Sequence, residues 1–333
     1  MKFGTYRLNG REHVGVLDST GKNLLDLAAA AKRSGSAHQA FETMLSLVDA
    51  GEAAVERAGR LLARFDGDPD LLVCCDGCDL RSPLPEPGQM RDGMSFATHI
   101  LQSARGSLKL RARQDGNEAE LARLEALPLP RLPDIYRKQP IYYITNRFSV
   151  QGTNTTVKWP GYSKQMDYEL EFGIVTKQRG SNISARRAGN HIFGFTIFND
   201  FSARDAQLAE MEGRLGPAKG KSFDGGNVLG PWIVTPDEIG DPYNLQMRAF
   251  VNDELWSEGT SHGMLFSFEE MIEHISKDET LMPGEFIGSG TVGNGCGLEL
   301  GRFLEDGDTV ELEVEKIGRL RNRVECQDRP RSA

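Results

Sequence analysis

The 333-residue sequence predicts an α+β protein in which a largely antiparallel or mixed β core carries a few covering helices, preceded by a small β-rich module. Three observations lead to this class. Residues 141–314 are a succession of short apolar runs separated by Gly, Asn, Asp and Pro, the pattern of strands joined by turns. The 37 Gly and 15 Pro ask for many tight connections, which suits sheets better than a helical bundle. Within the β-rich stretch only residues 266–275 keep a clear helical period, so strands and helices do not alternate as in a βαβ design.

Taken in order, residues 2–8 and 13–17 are strand-like runs around Asn9-Gly10, the strongest short hairpin signal. From 37 to 65, Phe41, Met44, Leu45, Leu47, Val48, Val55, Leu61 and Leu62 recur at helical spacing, which predicts one or two helices. A small apolar strand over 71–75 and a turn follow. Pro83, Pro85, Pro87 and Gly88 cannot sit inside regular structure. They place a boundary between a β-rich module with helices at 1–82 and a main domain at 88–328. Residues 91–106 read as a helix and 117–127 as another, ended by Pro128 and Pro130. Further strands are predicted at 168–175, 192–198, 232–234, 245–251 and 309–314. The glycine-rich run 288–295 follows a strand without leading into a helix, so no dinucleotide site is expected there.

Composition removes several classes of function. With 39 Lys+Arg against 48 Asp+Glu the net charge is −9, a field that repels phosphate backbones and anionic lipid, and no nucleic-acid partner is expected. No stretch approaches the ~18–20 consecutive apolar residues of a membrane span, and the first residues lack a signal-peptide pattern. The expected location is the cytoplasm, with no membrane association. Five cysteines is an odd number, and three crowd into Cys74-Cys75-Asp76-Gly77-Cys78, so they are read as reduced. A zinc site at Cys75 and Cys78 would need two further ligands from the distant Cys296, Cys326 or scattered histidines.

The chemistry concentrates in Asp167-Tyr168-Glu169-Leu170-Glu171-Phe172-Gly173. Strand geometry sends Glu169 and Glu171 to one face and Tyr168, Leu170 and Phe172 to the other. On an exposed face such a pair is ordinary solvated charge. Asp200, however, ends another apolar run, 193–200, of the kind expected in a buried strand. Three converging carboxylates require a cation. Oxygen-only ligands select a hard metal, Mg²⁺ first, with Mn²⁺ or Ca²⁺ as substitutes.

These residues also carry a resemblance. Glu169-Leu170-Glu171, then Asn199-Asp200-Phe201-Ser202-Ala203-Arg204-Asp205-Ala206-Gln207, then Lys221-Ser222-Phe223-Asp224, Gly230-Pro231-Trp232-Ile233-Val234 and Gly288-Ser289-Gly290-Thr291 follow one another in this chain. In that order they resemble the signature of the fumarylacetoacetate hydrolase family, over residues 91–315. The resemblance implies a mixed β-roll or β-sandwich catalytic domain behind a small variable module, paired into homodimers, with Mg²⁺ or Ca²⁺ held by Glu169, Glu171 and Asp200. Asp92 and His99, seven apart and so on one face of the predicted helix, resemble the Asp-x₆-His pattern of the branch that gives the family its name. Glu299 in Leu298-Glu299-Leu300 resembles the acidic residue that orients the histidine in that branch. The resemblance thus implies Asp92 as a fourth ligand and a water-activating His99–Glu299 dyad. It makes Lys221 a fixed positive charge near a developing enolate, and Arg204 and Gln207 donors to substrate oxygens. An imidazole, with an ordinary pKa of ~6.5, is a competent base at neutral pH, and a carboxylate partner fixes its tautomer. Arg204 could instead pair with Asp205 or Asp224, an arrangement more common than catalysis for a single arginine.

What the resemblance implies overall is a metal-dependent hydrolase cleaving a C–C bond in a small oxo-acid, a 1,3-diketo acid or acylpyruvate, with no organic cofactor. An oxo-acid decarboxylase or isomerase using the same metal site is the alternative, as is a non-catalytic binding protein stabilised by a divalent ion. Where the name-giving branch has aromatic hydroxyls, this chain has Met94 and Met211, which predicts a preference for an apolar over a carboxylate tail on the substrate.

Overall fold

The computed structural model describes residues 1–326, so positions 327 and 328 of the expected main domain lie outside the described residues. β1 (Lys2–Leu8) and β2 (Arg11–Leu17) form the expected hairpin, in register from Phe3 opposite Val16 to Leu8 opposite Arg11. β3 (Asn23–Asp26) leads directly into α1 (Leu27–Arg33), whose first turn is capped by the Asp26 carboxylate accepting from the Ala29 amide. α2 (Met44–Phe65) starts at a Thr43 cap and leaves helical geometry at Gly51, where φ is 62°. Only glycine tolerates that conformation cheaply, and it splits the predicted helical stretch into two consecutive segments. β4 (Leu72–Cys74) completes this part. Phe41, Leu47, Val48 and Leu61 pack under the sheet against Phe3, Val16 and Leu25, each such burial contributing about 1.5–3 kcal/mol.

The rest of the chain supplies β5 (Met90–Gly93), β6 (Tyr142–Ile144), β7 (Thr156–Trp159), β8 (Leu170–Thr176), β9 (Ile192–Asp200) and β10 (Asn227–Val234). Then come β11 (Gln246–Val251), β12 (Glu254–Thr260), β13 (Phe286–Gly288), β14 (Thr309–Val314) and β15 (Gly318–Cys326). Its helices relevant here are α3 (Ala97–Gln114), α4 (Glu118–Ala126), α5 (Arg204–Met211), α6 (Phe268–Ile275) and the single turn α7 (Gly297–Leu300). Ten strands of a 12-stranded sheet run β4-β3-β2-β1-β10-β9-β8-β13-β5-β6, with two short strands paired to β1 and β10 off this path, and a five-stranded sheet runs β12-β11-β14-β15-β7. Most neighbours are antiparallel; β13 with β5 and β15 with β7 are parallel. The architecture is the mixed α+β class expected. Between the sheets, Phe172, Ile174, Phe195 and Ile197 meet Met247, Ala249, Leu312 and Val314, and α6 closes the layer with Phe268, Met271 and Ile272. α6 opens on a Ser267/Glu270 capping box.

β1 hydrogen-bonds to β10, Lys2 opposite Val234, so one sheet continues through both parts of the chain. The proline-rich stretch lies against it: the Thr5 hydroxyl donates to the Pro83 carbonyl at 2.9 Å, and Leu84 is fully buried.

Three expectations are corrected. Residues 91–106 are not one helix: Met90–Gly93 is a strand held between β13 and β6, and the helix begins only at Ala97. Tertiary pairing overrides local propensity there, and Asp92 and His99 do not share a helical face. Residues 204–211 form a helix within the stretch expected to hold one clear helix only. The glycine-rich run does lead into a helix, but one of four residues. The amides of Gly297 and Leu298 at its start already donate to the Asp167 carboxylate. Cys74, Cys75, Cys78 and Cys296 are free thiols. Burial pushes the Cys75 thiol up to about 12, and among the described residues no group of three metal-ligating side chains forms around Cys74, Cys75 and Cys78. Among the described residues no helix is long and apolar enough to cross a membrane.

Candidate active site

The sheet order brings β5, β13, β8 and β9 side by side, and with them Asp92, Glu171 and Asp200. Each offers an oxygen within 4.8 Å of the other two, and all three residues are buried. Asp92 stands opposite Gly288 in the parallel pair. A Cβ on Gly288 would sit 2.3 Å from Asp92 Oδ1 and 3.4 Å from Glu171 Oε2; the missing side chain is what lets the two carboxylates meet. Thr291 donates its hydroxyl to Glu171 Oε1 at 2.9 Å, the Gly290 amide donates to Asp92 Oδ1 at 3.3 Å, and the Tyr143 phenol donates to Asp200 Oδ2 at 2.5 Å. Glu171 Oε2 and Asp200 Oδ1 are buried with no hydrogen-bond partner.

Burial and then mutual repulsion govern these acids. Asp92 is pushed up to about 7, first by burial and then by the charge on Asp200. Burial and the neighbouring Asp92 hold Glu171 well above the usual carboxylate range, and burial raises Asp200 despite Lys221. Three crowded oxygen donors with two orphaned oxygens fit a hard divalent cation, which would satisfy both oxygens and neutralise the cluster.

The same shifts set a pH dependence. In the cation-free fold Asp92 keeps its proton up to about 7, against an ordinary value of 3.8, so between those values the folded chain binds protons that the unfolded chain releases. The stability tied to that proton is complete below ~4 and lost as pH rises through about 7. Cation-free protein is expected to melt at a lower temperature at about pH 8 than at about pH 5.5, and saturating Mg²⁺ to raise the melting temperature more at the higher pH. Thermal melts with and without chelator test this; a cation-free melting temperature that rises across the interval would show that these acids are not raised.

Glu169 does not join the converging oxygens. Its Oε1 accepts from Arg204 Nη2 at 2.8 Å and its Oε2 from Lys221 Nζ at 2.5 Å. Burial alone would raise this carboxyl, but Lys221 and Arg204 outweigh it and hold the group well below the usual range. Lys221 also donates to Asp200 Oδ2 at 2.7 Å. Burial opposes its charge, yet the two carboxylates push its pKa above the ordinary lysine value, so an ammonium is fixed at the edge of the cluster.

Arg204 is buried and pairs with neither Asp205 nor Asp224. Its Nε donates to Asp167 Oδ2 at 2.7 Å, its Nη2 to Glu169, and its Nη1 to Gln207 Oε1 at 2.8 Å. Each guanidinium nitrogen has a protein acceptor, so Arg204 organises carboxylates here. Gln207 is anchored through its oxygen, which leaves its NH₂ group to offer a ligand.

His99, in the first turns of α3, and Glu299, on α7, come together as the resemblance implies: Nδ1 lies 3.3 Å from Oε1, with both side chains buried. The contact is close without being a well-aligned hydrogen bond, and Nδ1 has no other partner. Glu299 is held by the Asn294 and Cys296 amides and accepts from the Cys296 thiol at 3.5 Å. Met94 is partly buried, and Met211 is half exposed at the end of α5.

Four participants have no role at this site in the sequence reading. Asp167 continues the Glu169, Glu171 alternation by two residues, a signal that was present. Thr291 lay inside a recognised motif. Tyr143 and Cys296 sit in unremarkable runs, and only the fold shows what they touch.

The fold and the oxygen-lined cluster together define an α+β protein with a buried site suited to a divalent cation. A sequence profile of the fumarylacetoacetate (FAA) hydrolase C-terminal domain matches residues 115–325. The chain is 29% identical over 333 residues to the oxaloacetate tautomerase YisK of Bacillus subtilis (strain 168), covering 97% of this chain and 100% of that protein. It is 36% identical over 211 residues to the mitochondrial oxaloacetate tautomerase FAHD2B of Bos taurus, covering 62% of this chain and 64% of the bovine one. Among solved structures, fumarylacetoacetate hydrolase from psychrophilic Exiguobacterium antarcticum has a TM-score of 0.71 at 25% identity, over 98% of this chain and 100% of that chain. The chain belongs to the fumarylacetoacetate hydrolase family.

Proposed function

We propose that the protein is a divalent-cation-dependent tautomerase of a small 2-oxo acid of the oxaloacetate type, interconverting its enol and keto forms. The observation that carries this reading is the match along essentially the whole chain to an oxaloacetate tautomerase. It favours the isomerase alternative over the C–C hydrolase expected first.

Asp92, Glu171 and Asp200 would hold the cation, Mg²⁺ or Mn²⁺ by donor chemistry, and when bound it supplies Lewis-acid stabilisation of an enolate oxygen. The chain's own groups do the rest. His99 carries the proton between the enol oxygen and C3 of the substrate, so nothing enters or leaves overall. Glu299, close to Nδ1 without a formed hydrogen bond in the cation-free fold, would favour the tautomer protonated there during turnover, which leaves the Nε2 lone pair for the proton transfer. Lys221, anchored by Glu169 and Asp200, adds a fixed positive charge where negative charge develops. Gln207 and its NH₂ group serve to orient a substrate oxygen.

C–C hydrolysis is the second reading. The His99–Glu299 pair supports it, because the same lone pair can deprotonate water. Oxaloacetate and a series of acylpyruvates with alkyl, aryl and carboxylate tails, each with Mg²⁺ or Mn²⁺, separate the readings when enol absorbance and products are followed. Faster enol–keto exchange with substrate conserved supports tautomerisation, two acids per diketone means hydrolysis, and release of CO₂ means decarboxylation. Metal-dependent melting with no turnover would leave a binding protein. The same series tests the preference expected from Met94 and Met211. His99→Ala is expected to lower kcat by ~10²-fold or more with cation affinity nearly intact; a full rate without His99 would remove it from the chemistry. The reading includes a homodimer, supported by the exposed apolar Ile144 and Phe148 and tested by light scattering.

A further inference from the structure

We propose that His99, Cys296 and Glu299 form a second cation site, selective for a zinc-class ion, whose occupation switches off the proposed base. Each of the three offers one ligand atom within 4.8 Å of the other two. His99 Nδ1 lies 3.3 Å from Glu299 Oε1, and the Cys296 sulfur lies 3.5 Å from Glu299 Oε2. Donors sharing one tetrahedral zinc at its usual bond lengths stand about 3.4–3.7 Å apart, so each of these two contacts is of the right size, and the three donors need only draw together from within 4.8 Å. Two features point to a ligand here. His99 is 5% exposed and its Nδ1 is a buried polar atom with no hydrogen-bond partner. Cys296 is fully buried beside it, and the proposed reaction gives its thiol nothing to do.

Donor chemistry sorts the ions. Asp92, Glu171 and Asp200 present oxygen alone and suit a hard cation, whereas a thiolate with an imidazole nitrogen suits a softer one. Binding exchanges one bond for another without redox change: the thiol releases its proton to solvent, the sulfur and Nδ1 lone pairs go to the ion, and the imidazole proton resides on Nε2. That tautomer has no lone pair left for substrate. Cys296 ends the loop at 293–296, whose exposed Asn294 donates its amide to Glu299 and is tied to Gln102 by a reciprocal pair of hydrogen bonds.

The effect on turnover rests on the reading of His99 as base; the site itself does not. Chelator-treated protein saturated with Mg²⁺ is titrated with Co²⁺, whose thiolate coordination gives a near-ultraviolet charge-transfer band. The expected result is one equivalent with that band, retained in Cys75→Ser/Cys78→Ser and lost in Cys296→Ser, with Zn²⁺ affinity in Cys296→Ser lowered about tenfold or more. Absence of the band in wild type, or its loss in the Cys75→Ser/Cys78→Ser protein instead, overturns the site, and neither observation needs the Cys296 variant to fold. With turnover as the readout, Zn²⁺ is expected to inhibit in a way that added Mg²⁺ does not relieve. Relief by Mg²⁺ would place the zinc at the carboxylates and refute the inhibitory role. A protein that shows the band but turns over no oxo-acid would refute the proposed function and leave the cation site standing.

Discussion

Glu171→Gln and Asp92→Asn are expected to abolish divalent-cation binding and turnover while leaving a folded chain. Each removes one charge from a set whose members repel one another in the absence of an ion. Loss of an outer partner of a metal ligand already costs ~10–100-fold in affinity, and loss of a ligand itself costs more. The variant without the Glu171 charge has a second signature. Glu171 accepts a hydrogen bond from Thr291 and otherwise faces Asp92 and Asp200, so cation-free Glu171→Gln is expected to melt no lower than cation-free wild type. Calorimetric titration with Mg²⁺ and Mn²⁺ checks the first part and thermal melts in chelator the second. Unchanged affinity in both variants would mean that the ion, if any, binds elsewhere.

The second large effect is on stability. Arg204→Met is expected to destabilise the fold by about 3–5 kcal/mol, the cost of breaking a buried pair so that one side is left unpaired. Here two buried carboxylates, Asp167 and Glu169, both lose the guanidinium, and only Glu169 keeps another cation, Lys221. Arg204→Lys does not rescue it, because one ammonium cannot reproduce a planar fork that serves Asp167, Glu169 and Gln207 together. Denaturant unfolding measures this, and a change below about 1 kcal/mol, the value of a surface pair, would reduce Arg204 to a bystander.

The hairpin, the amphipathic stretch at 37–65 and the alternation at 167–173 were legible because each is a local pattern with a local cause. Asp92 was misplaced on a helix for the opposite reason. Met90–Gly93 has no alternation of its own, and its strand conformation is imposed by β13 and β6, far away in sequence. Glu169 shows a finer limit. Strand periodicity correctly puts it near Glu171, but which cation it faces depends on Arg204 and Lys221, whose positions no spacing rule predicts. The His99–Glu299 pairing was reached only through resemblance, since the two lie on separate helices and nothing in either segment names the other.

The parallel pairing of β5 with β13 has a consequence for how the protein is made. The Gly290 amide that touches Asp92 lies 198 positions further along the chain, so at 5–20 residues per second a ribosome needs about 10–40 s to travel between them. Throughout that interval the strand that joins Asp92 to the paired strands of Glu171 and Asp200 is still unmade. The set of three carboxylates can therefore be completed only after the glycine-rich segment emerges, because β13 alone places Asp92 beside the other two.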